Sequence, residues 1–153
     1  MHLSFHPGDL DSSDVRALLD LHFAAMRASS PPENCHVLPI DGLRDPALTF
    51  WAAREDRRLV GIGALKELEP DHGEVKSMRT APEHLGRGVG GRFLAHIMSQ
   101  ARERGYKRLS LETGSTSEFA GALRLYEREG FQSCGPFAGY PESEFTRFFT
   151  REL

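Results

Sequence analysis

The chain has 153 residues, enough for one domain with a sizeable core and too few for two. Its net charge of −3, with both signs interleaved, gives no reason to expect a nucleic-acid partner or an anionic membrane surface. Cys35 and Cys134 show neither metal-ligand spacing nor a disulfide framework, so they read as reduced thiols of a cytoplasmic protein without a metal.

The N-terminus lacks a basic region followed by an apolar run, so no signal peptide is expected. No stretch approaches the ~18 apolar residues of a membrane helix. His2–His6 predicts a first strand, ended by Pro7-Gly8. Asp11-Ser12-Ser13-Asp14 is an N-cap cluster opening a helix to about Ala28, with Val15, Leu18, Leu19, His22 and Met26 on one face. Residues 29–34 break it, and Pro39–Arg44 predicts a short second helix. Leu48–Arg54 and Arg58–Leu68 form an antiparallel pair, with Phe50 and Trp51 on opposite faces.

Gly73–Thr80 is the next strand, with Val75 and Met78 as its apolar members and Thr80 β-branched. Pro82 ends it. Gly86-Arg87-Gly88-Val89-Gly90-Gly91 then opens a helix whose apolar residues, Phe93, Leu94, Ile97, Met98 and Ala101, recur at the helical period. A glycine-rich turn feeding a helix start is an anion site, because its amides are free and the helix dipole favours negative charge. Gly105 is the expected stop. Lys107–Leu111 is a strand with Glu112-Thr113-Gly114 at its carboxyl end. Ser115 and Glu118 spell a capping box before a helix that carries Phe119, Ala122, Leu123 and Tyr126 on one face and ends at Gly130-Phe131. Phe131–Phe137 and Glu144–Leu153 predict closing strands around a Gly139-Tyr140-Pro141 loop.

Three phosphate binders fit such a turn. A P-loop is excluded, since Arg92-Phe93 stand where Lys-Ser/Thr is required. Gly86, Gly88 and Gly91 spell the dinucleotide fingerprint, with Glu112 as a distal acid. However, five residues separate the strand from the first glycine, and too little chain follows Glu112 for a doubly wound sheet. The third reading is an acyl-CoA pyrophosphate site. A strand, Pro82, then Gly88-x-Gly90 entering a helix resembles the central motif of the GNAT superfamily of acyl-CoA-dependent N-acyltransferases. Ala122-x-x-Leu125-Tyr126-x-x-x-Gly130-Phe131 resembles that family's second motif, in the family's order and at its usual distance. The resemblance covers about Gly73–Phe131. It departs at Leu85, where the family usually has Gln or Arg, and at Phe119, where it often has Asn.

The resemblance implies a single domain over 1–153 of α/β (α+β) class. Its sheet would be mixed, mostly antiparallel and of about seven strands, with helices on both faces and splayed central strands. It implies an N-acetyltransferase using acetyl-CoA as donor, attacked directly by the amine of a small molecule or peptide, and acting as a monomer or homodimer. Met78 and Thr80 would offer main-chain bonds to the pantetheine and acetyl groups, Arg79 between them counts with the cofactor-binding residues, and Leu85, Gly86, Arg87, Gly88, Val89, Gly90 and Gly91 would hold the pyrophosphate. Tyr126 matches the family's general acid near the cofactor sulfur. Glu74 lies where several members carry a general base, and Glu112 is its rival. Lys76 and Arg79 would keep Glu74 ionised or bind an acidic acceptor. The family builds its acceptor pocket between the first two strands, making His22, Met26, Glu33 and His36 candidates to line it; Trp51 is a further candidate for stacking on the acceptor. A non-catalytic acyl-CoA-binding module and a dinucleotide-dependent oxidoreductase are the competing functions.

Overall fold

A computed structural model describes residues 2–153. The strands are β1 (Ser4–Pro7), β2 (Leu48–Glu55), β3 (Arg58–Glu69), β4 (His72–Thr80), β5 (Arg108–Gly114), β6 (Gln132–Cys134) and β7 (Thr146–Glu152). The α-helices are α1 (Ser13–Ser29), α2 (Ile40–Leu43), α3 (Val89–Glu103) and α4 (Ala120–Arg128). The seven strands form one sheet in the order β1-β2-β3-β4-β5-β7-β6, antiparallel except for the parallel β4–β5 pair. The expected architecture is therefore present. Its two closing strands are shorter than the hydrophobic pattern suggests, because residues 135–145 leave the sheet as a loop.

The sheet separates two cores, and alternation along the strands decides which residue joins which. Phe50, Ala52, Ile62 and Ala64 face α1 and α2, where Val15, Leu18, Leu19, Phe23 and Leu43 are buried. Trp51, Ala53, Leu65 and Val75 face α3, which buries Val89, Phe93, Leu94, Ile97 and Ala101. Close seating of α3 depends on glycine: a Cβ at Gly63 would stand 2.5 Å from the Phe93 ring. Helices α3 and α4 both end in Schellman motifs, with Gly105 at φ 81° and Gly130 at φ 87°. The Tyr106 amide bonds to Ala101 O at 3.0 Å, and the Phe131 amide to Tyr126 O at 3.0 Å.

Two irregularities shape the middle of the sheet. The β4–β5 ladder covers only His72–Glu74 against Arg108–Ser110, after which the strands diverge. On its other side β4 stays paired to β3 through Thr80. The second irregularity is a bulge. Ala64 pairs with Lys76 and Ile62 with Arg79, so Ser77 and Met78 together oppose Gly63, and Ser77 adopts φ 54°. Strict alternation would keep Met78 on the face of Glu74 and Lys76. The bulge instead sends Met78 toward the α3 side, where it packs against that core, and puts Arg79 beside α1.

The capping box does not form. Residues 117–119 make a 3-10 turn, α4 begins at Ala120, and Ser115 Oγ donates to Glu144 O at 3.3 Å. The carboxyl end of β5 needs that turn to cross to α4, which places Phe119 over Gly114, where a Cβ would meet the ring at 2.4 Å.

Candidate active site

The divergence of β4 from β5 opens a cleft of about 230 Å³. Its walls come from α1 (His22, Met26), residues 36–38, β4 from Glu74 to Arg79, the end of β5 (Glu112, Thr113), and α4 with its preceding turn (Phe119, Ala122, Tyr126). His22, Met26, His36, Glu74, Met78, Arg79, Glu112 and Tyr126 thus share one space. Two expected lining residues do not reach it. Trp51 is 6% exposed and packs edge-on against His96 on the α3 side, because strand alternation points it away from α1. Glu33 lies exposed on a 3-10 turn outside the cleft.

Tyr126 projects from α4 with its ring tilted against Phe131 and Phe149. Its hydroxyl makes no hydrogen bond to any described residue. Burial pushes the phenol up to about 12, a trend opposed by the Arg79 charge and reinforced by Glu112. At neutral pH it is a protonated donor without an acceptor.

The two carboxylates differ sharply. Glu74 is 2% exposed and saturated on one oxygen. Tyr140 Oη donates to its Oε2 at 2.7 Å, Lys76 Nζ donates to the same oxygen at 3.2 Å, and Lys76 Nζ also donates to Tyr140 Oη at 2.6 Å. Burial first, then the Glu74 charge, pushes the Tyr140 phenol well up. Glu112 is more open, with its side chain 13% exposed, and its Oε2 lies 3.3 Å from His36 Nδ1. Burial raises its carboxyl above the ordinary range, while His36 and Lys76 oppose the shift. Tyr140, whose ring also packs on His36 at 5.0 Å, is a site residue that the sequence placed only in a loop. Its only signal was a Tyr between Gly139 and Pro141 in a loop of no predictable course.

His22 is buried, and Arg79 Nε donates to its Nδ1 at 3.0 Å, fixing the neutral tautomer with the proton on Nε2. Burial, assisted by the Arg79 charge, lowers its pKa from 6.5 to about 3. The unfolded chain therefore binds a proton between pH 6.5 and 3 that the folded chain refuses, so His22 makes stability fall as pH drops through that window. His22→Asn, which keeps a neutral acceptor, should abolish this component. In urea titrations the wild type should lose on the order of 2 kcal/mol more than the variant between pH 6.5 and 4.5. Parallel stability curves for the two proteins would show that His22 titrates normally.

The glycine turn lies at the open end of the same splay. Gly86 has φ 76° and Gly88 φ 82°, conformations that other residues adopt only with strain, and no atom lies within 4 Å of a Cβ at either position. Gly88 is the N-cap of α3 and no side chain caps the helix, which leaves its first-turn amides for an external acceptor. Gly90 has a packing role: a Cβ there would meet Leu125 Cδ2 at 3.3 Å. The leucine of the second motif thus rests on the glycines of the first. Arg87 does not lie free above the turn, since its guanidinium contacts His84 Nδ1 at 2.8 Å and Glu55 at 3.3 Å. Leu85 is 67% exposed.

Among the described residues no group of three or more His, Cys, Asp or Glu is arranged to hold a metal ion. Among them, too, no helix is long and apolar enough to cross a membrane.

The sequence model of the acetyltransferase (GNAT) family matches residues 15–131. The uncharacterized N-acetyltransferase YsnE of Bacillus subtilis is 48% identical over 100% of both chains. The uncharacterized N-acetyltransferase YedL of Escherichia coli is 46% identical over 95% of this chain and 91% of its own. Among solved structures, a Klebsiella pneumoniae protein described as an acyl-CoA N-acyltransferase superposes with a TM-score of 0.78 at 26% identity, covering 99% of this chain and 97% of its own. A GNAT acetyltransferase from Elizabethkingia anophelis, solved with acetyl-CoA bound, shares the fold with a TM-score of 0.74 at 22% identity, covering 99% and 98%. With the family model spanning most of the chain, and full-length relatives that are N-acetyltransferases, the chain belongs to the GNAT family and is an N-acetyltransferase.

Proposed function

We propose that the protein transfers an acetyl group from acetyl-CoA directly to the amine of a small-molecule acceptor bound in the β4–β5 cleft. The observation that carries this reading is the convergence of an unpartnered neutral phenol, Tyr126, and an accessible carboxylate, Glu112, on the cleft where β4 leaves its partner strand. The main chain of Met78–Thr80 has lost β5 as a partner and can bond the pantetheine arm and acetyl carbonyl. The 85–91 turn suits the pyrophosphate, since its left-handed glycines and open space admit a close approach. Tyr126 donates a proton to the departing thiolate. Glu112, paired with His36, takes the ammonium proton, directly or through a water. Glu74 acts structurally: through Tyr140 and Lys76 it ties the 135–145 loop to the sheet. A narrow cleft walled on several sides suits a small molecule better than a long peptide.

Thiol release from acetyl-CoA with a panel of primary amines tests the reading. Binding of acetyl-CoA without turnover on any amine would leave a non-catalytic acyl-CoA-binding module. Acetyl-CoA at 100 times its Kd should raise Tm by about 5–10 °C, from roughly 2.7 kcal/mol of linkage. NADH should leave Tm unchanged; the reverse ranking would return the turn to dinucleotide binding.

The cradle is open to a direct check. Gly88→Val places a β-branched residue at φ 82°, costing about 1–3 kcal/mol of stability, and its methyls point into the open space above the turn. Acetyl-CoA affinity should fall at least tenfold, about 1.4 kcal/mol. Gly88→Asn tolerates the left-handed conformation better, so it should recover the stability but not the affinity. Calorimetric titration showing wild-type affinity in both variants would remove the pyrophosphate from this turn.

A further inference from the structure

The cleft holds a partly buried cation with no ion-pair partner among the described residues. Arg79 is half-buried on β4 and lines the cleft, and among the described residues its one hydrogen bond runs from Nε to His22 Nδ1. His22 is held neutral, so it satisfies a donor without compensating the charge. Among the described residues no carboxylate lies within 4.0 Å of the Arg79 guanidinium. Of the other charged groups that line the cleft, Lys76 pairs with Glu74 and Glu112 contacts His36, while Glu118 is solvent-exposed. Burial already acts against the Arg79 cation, lowering its pKa. A buried guanidinium without a counter-ion is costly unless a ligand supplies one.

The arrangement is built rather than incidental. The Ser77–Met78 bulge turns Arg79 onto the α1 face, and His22 then fixes the guanidinium by its Nε, leaving both terminal nitrogens for a bidentate acceptor. The floor of the cleft toward Glu112 is acidic and suits an amine, whereas the Arg79 side is cationic.

We propose that the acceptor carries a carboxylate as well as its amine, and that the carboxylate docks on the terminal nitrogens of Arg79 while the amine lies toward Glu112. This rests on the acetyl-transfer reading above and assigns the chemical class of its acceptor: a small amino acid or amino-carboxylate. Arg79 is then the residue that orients the acceptor, with His22 holding it in place. The reaction balances as ordinary amide formation: the amine nitrogen forms the bond to the acetyl carbon and the thioester C–S bond breaks. Of the two protons the ammonium nitrogen loses, the first passes to Glu112–His36 and on to solvent, and the second restores Tyr126 after the phenol has protonated the departing thiolate.

The test is a set of matched amines presented to the wild-type enzyme with acetyl-CoA: free α- and ω-amino acids, the amide and methyl ester of each, and the decarboxylated amine. For the best amino acid, kcat/KM should exceed that of its amide by tenfold or more. Arg79→Gln should collapse that ratio to within about threefold, chiefly through a raised KM for the amino acid. Arg79→Lys, which keeps the charge and loses the fork, should retain part of the preference. Equal or better turnover of amides and decarboxylated amines by the wild type would overturn the inference while leaving acetyl transfer intact. So would an Arg79→Gln enzyme that keeps the preference but loses acetyl-CoA affinity. No turnover with any amine, despite acetyl-CoA binding, would overturn both.

Discussion

Tyr126→Phe should reduce kcat by at least about 10²-fold, the lower end of what a positioned general acid supplies, with acetyl-CoA affinity and Tm nearly unchanged. The direction follows from the surroundings of the hydroxyl. Its ring stays packed against Phe131 and Phe149 in the variant, so the core loses no volume. Its oxygen bonds no described residue, so no internal partner is orphaned. What is removed is a proton donor facing the cleft. Burial holds the phenol at about 12, so it is fully protonated at every pH at which the enzyme would be assayed. A thiolate leaving beside it can take that proton as charge develops. In consequence the phenol should not produce the alkaline limb of the rate profile below about pH 10. A wild-type kcat for Tyr126→Phe would make Tyr126 a packing residue and leave the thiolate to be protonated by solvent.

How much of this was legible beforehand varied with the range of the interaction involved. The glycine turn, the helix it opens and the Ala122–Phe131 helix were readable because their signals are local: glycine spacing, helical period, a Gly-Phe stop. The opposed orientation of Phe50 and Trp51 followed from strand alternation alone, although which face held the acceptor did not. Trp51 fell on the α3 side, and that is a fact of sheet packing. The bulge at Ser77 was invisible, since nothing in Lys76-Ser77-Met78 marks an αL serine. Yet it decides that Arg79, rather than Met78, faces α1. The Tyr140–Glu74 bond spans 66 positions and depends on the path of an irregular loop, for which pattern reading has no rule. The capping box failed for a related reason: Ser115 was taken by a carbonyl 29 residues away.

The choice between the two carboxylates can be settled by a pair of substitutions. Glu112→Gln should depress kcat/KM at neutral pH by about 10²–10³-fold, the scale of a lost general base, and flatten the acid limb of the profile. Raising the pH should restore much of the rate, because an alkyl amine of pKa near 10 is increasingly deprotonated by solvent. Tm should change little, since the neutral amide still fits beside His36 and burial already disfavours the Glu112 charge. Glu74→Gln should behave in the opposite way. It leaves the Lys76 ammonium, with a side chain only 8% exposed, without its counter-charge, and weakens the Tyr140 bond. Breaking a buried pair of this kind costs on the order of 3 kcal/mol, and for a chain of this length that is roughly a 6–12 °C loss in Tm. The shape of its pH–rate profile should nevertheless stay that of the wild type at temperatures where the variant is folded. Measuring both profiles and both melting curves on one acceptor separates the roles. An acid limb lost in Glu74→Gln and retained in Glu112→Gln would make Glu74 the base, working from within its cluster with Lys76 and Tyr140. An acid limb retained in both would mean that the acceptor arrives as the free amine, so that the protein need only hold it by its other end, and the burden of recognition would then fall on Arg79.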